Sequence, residues 1–145
     1  MKFNFNKILA AFGNTRAMKH TQIDNDIEDI INSIDEEAFA VSEHNVFFAK
    51  ISELGGYYYI ITIIVGAFKI KTMKGAKLNV EGENFNLILN SDINEFESNH
   101  YNVSNRYITR IDFQIEEADI PKFDKKGIKT LKLSTKKQDI SFTTL

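Results

Sequence analysis

The sequence predicts a mainly β fold: a single-domain antiparallel β-sandwich or partly open β-barrel, with a helical segment at the N-terminus and one short helix before the last two strands. Three observations predict it. Tyr57–Val65 (YYYIITIIV) is an unbroken run of Tyr, Ile, Thr and Val, residues that fit a pleated surface and lose rotamer freedom in a helix. Tyr107, Thr109, Ile111, Phe113 and Ile115 alternate with Ile108, Arg110, Asp112 and Gln114, the period of two that marks a half-buried strand. Elsewhere, short apolar stretches are separated by polar or Gly-containing turns, as in a meander of hairpins.

Taken in order, Phe5, Ile8, Leu9 and Phe12 have helical spacing, with Asn4 as a cap and Gly13 as a stop, so residues 3–12 are expected to form a short amphipathic helix. Ile23, Ile27, Ile30, Ile31 and Ile34 repeat at i, i+4, i+7, i+8 and i+11. This predicts a helix over 24–36 with an acidic outer face, although an edge strand competes because Ile is an indifferent helix former. Residues 1–36 are thus read as an N-terminal helical or irregular segment and 38–145 as a β domain, the two making one domain.

From Ala38 the period becomes that of strands. Ala38–Ser42 and Val46–Ser52 flank the polar tip Glu43-His44-Asn45, and Gly55-Gly56 turns the chain into the Tyr57 run. That run is expected to be buried on both faces, and it is shorter than the ~18 to 20 apolar residues of a membrane helix. Beyond Gly66, Phe68 and Ile70 alternate with Lys69 and Lys71, so Gly66 is expected to mark a bulge or a turn between sheets. Ala76–Val80 and Asn84–Leu89 form a hairpin with Leu78, Val80, Phe85, Leu87 and Leu89 inward. The interval 90–106 is polar and reads as a long loop. After the Tyr107–Ile115 strand, Asp119 caps a short helix with Pro121 in its first turn, and Ile128–Ser134 and Asp139–Thr143 close the chain.

Composition limits the chemistry. The absence of cysteine removes disulfides, thiolate metal sites and cysteine nucleophiles, and agrees with a reducing compartment. The apolar patch Ile8–Phe12 is too short for a secretory signal, so a cytoplasmic location is expected. A net charge of −2 and three arginines give no global footprint for nucleic acid. The charges are nevertheless segregated. Asp24, Asp26, Glu28, Asp29, Asp35, Glu36, Glu37 and Glu43 lie in a stretch without Lys or Arg, whereas Lys122, Lys125, Lys126, Lys129, Lys132, Lys136 and Lys137 crowd the C-terminal region.

The passage Tyr107–Leu133 (YITRIDFQIEEADIPKFDKKGIKTLKL) resembles the closing part of small uncharacterised bacterial β-rich proteins. In these a strand leads through a polar turn and a short helix to a strand of the form I-K-x-L/I-x-L. Lys74-Gly75-Ala76-Lys77-Leu78 onward to Leu89 is similar in outline. The resemblance spans residues 46–143 and implies a compact β domain with one helix across it; it implies no activity and no residue roles.

No catalytic constellation stands out. His20, His44 and His100 sit among polar residues without spacing to a nucleophile. Glu97 and His100, with Asp92 and Glu95, offer donors to a divalent ion but lack the fixed spacing of a metal motif. No cofactor, metal or catalytic residue is expected. The candidate interaction surface consists of Lys69, Lys71, Glu97, His100, Arg106 and Arg110. The expected function is non-catalytic binding of a protein partner, self-association included. A small β-barrel carrier of an apolar ligand ranks second. Single-stranded nucleic-acid binding, through Lys69, Lys71, Lys74 and Lys77 beside aromatic residues, ranks below it.

Overall fold

The computed structural model describes residues 20–145; the helix expected at 3–12 lies outside them. The chain is mainly β, with a large antiparallel sheet that is not closed into a barrel. Helix α1 (His20–Ser33) is followed by β1 (Ala38–Val41), β2 (Val46–Leu54), β3 (Tyr57–Gly66) and β4 (Lys71–Thr72). Next come β5 (Lys77–Gly82), β6 (Asn86–Asn90), β7 (Phe96–Glu97), β8 (Asn99–Tyr101), β9 (Arg106–Ile115), β10 (Ile128–Ser134) and β11 (Asp139–Thr144). Nine strands make one sheet in the order β6-β5-β10-β11-β1-β2-β3-β9-β8, and β4 pairs with β7 in a second.

The sheet curls so that its ends approach. Ser91, just after β6, bridges Phe113 of β9, and the Asp92 N–H donates to the Asp112 carbonyl at 2.8 Å. That seam is short. Inward positions fill the curl: Phe47, Ile60, Leu78, Phe113, Leu131 and Phe142 are among the fully buried side chains, each worth roughly 1.5–3 kcal/mol of burial. Of the predicted inward row of β9, Ile111, Phe113 and Ile115 face this core and Thr109 is buried, whereas Tyr107 is only half-buried; the row of the β5–β6 hairpin faces the core as expected.

A second apolar cluster lies on the outer surface. Ile27, Ile30 and Ile31 of α1 pack with Val46, Phe48, Val65 and Ile108. The competition between helix and edge strand is therefore settled for helix, because the i, i+3, i+4 spacing matches an apolar patch of that shape on β2, β3 and β9. The last turn of α1 is closed locally, with the Ser33 hydroxyl donating to the Ile30 carbonyl at 2.7 Å.

This packing confines the two-sided burial expected along the central run to its far end. β3 is exposed at Tyr57 and half-buried at Tyr58 and Tyr59; from Ile60 to Ile63 only the inward residues Ile60 and Thr62 are fully buried, and burial on both faces is reached from Ile64 to Gly66. The cause is placement: α1 and the core converge on the Val65 end, whereas the β2–β3 hairpin projects beyond them. Its turn residues Gly55 and Gly56 have φ of +61° and +87°, the conformation of a two-residue turn whose twist matches paired strands.

Two further expectations change. The interval 90–106 is no open loop: it contains the seam bridge, β7, β8 and a 3-10 turn at Val103–Asn105. Its polar sequence is ordered by distant partners, as where Ser98 bonds Ile70. The short helix before β10 is a 3-10 helix at Glu117–Lys122, with Glu116 rather than Asp119 at its N-cap and Pro121 inside. Phe123 beyond it is buried, stacked on Phe39 at 4.7 Å between ring centroids.

Candidate functional site

The site begins where β3 stops. Asn45 is buried beneath Gly66, accepting the Ala67 N–H at 3.1 Å through Oδ1 and donating to Ser42 Oγ at 2.7 Å through Nδ2. A Cβ on Gly66 would overlap the Asn45 carboxamide, so glycine is what lets that side chain close over the end of the strand. Of the two arrangements expected at Gly66, the turn between sheets is the one adopted.

The redirected chain is anchored at Ile70. Its N–H donates to Ser98 Oγ at 2.7 Å, its carbonyl accepts the Ser98 N–H at 2.8 Å, and Ser98 Oγ lies 2.6 Å from Thr109 Oγ1. Ile70 is buried, so by strand alternation Lys69 and Lys71 stand on the solvent face. Thr72 repeats the pattern: its buried hydroxyl donates to the Gly75 carbonyl at 3.0 Å and accepts the Lys74 N–H at 3.2 Å. This turn pushes Met73 and Lys74 outward.

Opposite stands the connection between β10 and β11. Thr135 Oγ1 accepts the Lys137 N–H at 3.3 Å and the Gln138 N–H at 3.1 Å. Such a Thr-centred turn satisfies the backbone locally, leaving the Lys136 and Lys137 side chains exposed. The result is a cleft of about 490 Å³ lined by Lys69, Lys71, Lys74, Lys136 and Lys137, with Thr72, Met73 and Gln138 between them and, among the described residues, no carboxylate in its lining.

Glu97 stands beside this cleft. Its carboxylate meets Lys69 Nζ at 2.9 Å. The hydrogen bond and charge of Lys69, then the charge of Lys71, hold the Glu97 carboxyl below its usual range, and Glu97 in turn raises the Lys69 ammonium. Both partners are solvent-exposed, so the pair adds little stability. Among the described residues Lys71, Lys74, Lys136 and Lys137 form no ion pair. Among the described residues, one carboxylate against five ammonium groups leaves a strongly positive cleft on a chain of net charge −2.

Of the residues selected from the sequence, Lys69, Lys71 and Glu97 come together here. His100 on β8 sets its ring edge-on to Tyr107, 6.3 Å between centroids. Arg106 begins β9 opposite Tyr101, and Arg110 is exposed on the outer face opposite Ile63. None of His100, Arg106 and Arg110 lines the cleft, and among the described residues no three His, Asp or Glu side chains are grouped to hold a metal ion.

A larger groove of about 670 Å³ has Phe39, Ile51 and Phe123 in its lining. Two of its lysines are already engaged. Lys125 bonds Glu37 at 3.0 Å and the Ala38 carbonyl at 2.7 Å and sits 5.6 Å from the centre of the Phe39 ring, while Lys50 faces Glu36 at 3.7 Å. There the acidic and basic stretches of the sequence meet within the fold.

Among the described residues no helix is long and apolar enough to cross a membrane. No protein-family model matches the chain, and no curated protein or solved structure matches it either.

Proposed function

We propose that this chain is a non-catalytic binding module that engages an acidic protein partner at the lysine-lined cleft. One observation carries the reading: lysines from 69–74 and from 136–137 line one concave surface whose described lining residues include no carboxylate. Lysines held this way repel one another and gain from an anion placed among them, over a range set by a Debye length of about 8 Å at physiological salt. Lysine is a mobile point charge, whereas arginine presents a planar fork, which suits the separated carboxylates of an acidic surface.

The alternatives have less support. Among the described residues no aromatic side chain lines the cleft to stack a base, and the inward positions that an apolar-ligand carrier would leave open hold Phe47, Phe113, Leu131 and Phe142. A second copy is one eligible partner, since Glu28, Asp29, Asp35 and Glu43 supply carboxylates. Fluorescence anisotropy with labelled poly-glutamate tests the reading. Binding is expected at low salt, with a loss of about tenfold or more in Lys136→Glu with Lys137→Glu and unchanged thermal unfolding. Equal affinity in wild type and variant would remove the cleft from the interface. Light scattering at low and high salt reads whether the protein is its own partner.

A further inference from the structure

We propose that the occupant of the lysine cleft is an extended acidic peptide segment that adds as a third strand to the open edge of β4. This rests on the reading of the cleft as a site for an acidic partner and specifies how that partner is held. Among the described residues the small sheet contains only β4 and β7, so among them β4 has one edge without a strand. Ile70 directs its N–H and carbonyl to Ser98, on the β7 side. In an antiparallel pair these groups alternate in direction, so Lys71 turns its N–H and carbonyl to the opposite edge. Lys71, Thr72, Met73 and Lys74 all line the cleft although Thr72 is buried. Consecutive residues contribute to that wall, so the main chain of β4 forms part of it.

The side chains follow the same geometry. Lys69, Lys71 and Met73 are exposed, while Ile70 and Thr72 are buried. An added strand repeats every two residues, about 6.6–6.8 Å, and lays its alternate side chains over the face that carries Lys69 and Lys71. Carboxylates at alternate positions meet those lysines, and Lys136 and Lys137 close from the opposite wall. The protein already contains one half of this arrangement. Glu97 of β7 sits directly across from Lys71 in the ladder and bonds Lys69 at 2.9 Å. The open edge offers an incoming acidic strand the counterpart of what β7 makes on the closed edge. Main-chain bonds would supply affinity and the lysines the preference for carboxylates, the usual division in strand addition.

The test uses the full chain and a labelled eight-residue peptide of alternating Glu and Thr, followed by anisotropy at low salt. Three comparison probes are the same peptide N-methylated at every second residue on its pairing edge, a single-stranded oligothymidylate of similar charge, and pyrophosphate. The unmodified peptide is expected to bind best, to lose at least tenfold on N-methylation, and to slow exchange of the Lys71 amide proton. Lys136→Glu with Lys137→Glu should lose a similar factor. Equal binding of the methylated peptide, or an unprotected Lys71 amide, would overturn strand addition while leaving an electrostatic site for acidic proteins. Tighter binding of the oligonucleotide or of pyrophosphate would overturn the peptide as occupant. If no probe binds, strand addition and the proposed function both fall.

Discussion

Asn45 and Gly66 show how one missing methyl group sets the route of the chain. The Asn45 carboxamide needs the space that a Cβ at 66 would take, and it satisfies the first amide beyond the strand. Gly66→Ala must expel that buried side chain or shift the strand, an overpacking change of about 1–3 kcal/mol. Chemical denaturation should show the loss, and Asn45→Ala in the same background should recover part of it by freeing the space. Asp112 poses a pH question. Partial burial, and then the charge of Asp92, raise its carboxyl above the ordinary aspartate range. The folded state thus binds the proton more tightly than the unfolded state, and stability from this group falls as pH rises from the unfolded value through the raised one. Asp112→Asn should raise Tm at neutral pH and leave it unchanged near pH 3, where both states are protonated. Solvent screening keeps the gain below about 1 kcal/mol.

At the scale of elements, period was the reliable signal. β9 follows its alternation from Thr109 to Ile115, because a strand with one face on a core and one toward solvent writes a period of two into the chain, and departs from it at Ile108, which α1 covers. The interval 90–106 gave no such signal. Its order comes from Ser98 on Ile70 and Ser91 opposite Phe113, contacts that local composition does not encode. The lysine cleft was half legible. Lys69 and Lys71 announce themselves by alternating with apolar residues, but Lys136 and Lys137 read as one more charged turn until the curl of the sheet carries that turn opposite β4. Helix α1 was legible in spacing and ambiguous in propensity, and tertiary packing decided it. Ile30 lies fully buried against the outer face of the sheet. Ile30→Ala should therefore cost about 2–5 kcal/mol in denaturant unfolding. A cost within ±0.5 kcal/mol would place the helix off the sheet.

At the scale of the molecule, the sheet order separates neighbours in space from neighbours in sequence. Three strands form one flank, β6-β5-β10, and five form the other, β1-β2-β3-β9-β8. Between them lies β11, paired to β10 from Thr130↔Thr143 to Ser134↔Asp139 and to β1 at Ala40↔Thr144 and Val41↔Thr143. During synthesis both flanks therefore leave the ribosome before the strand that joins them. Each then carries an open inner edge, on β10 and on β1, that among the described strands Asp139–Thr144 fills. An incomplete chain stalled just short of Asp139 is a pair of half-sheets with a strand-wide vacancy between them. For that interval a strand from a neighbouring nascent copy can compete for the same place, and emergence of Asp139–Thr144 becomes the step that commits the polypeptide to its own fold.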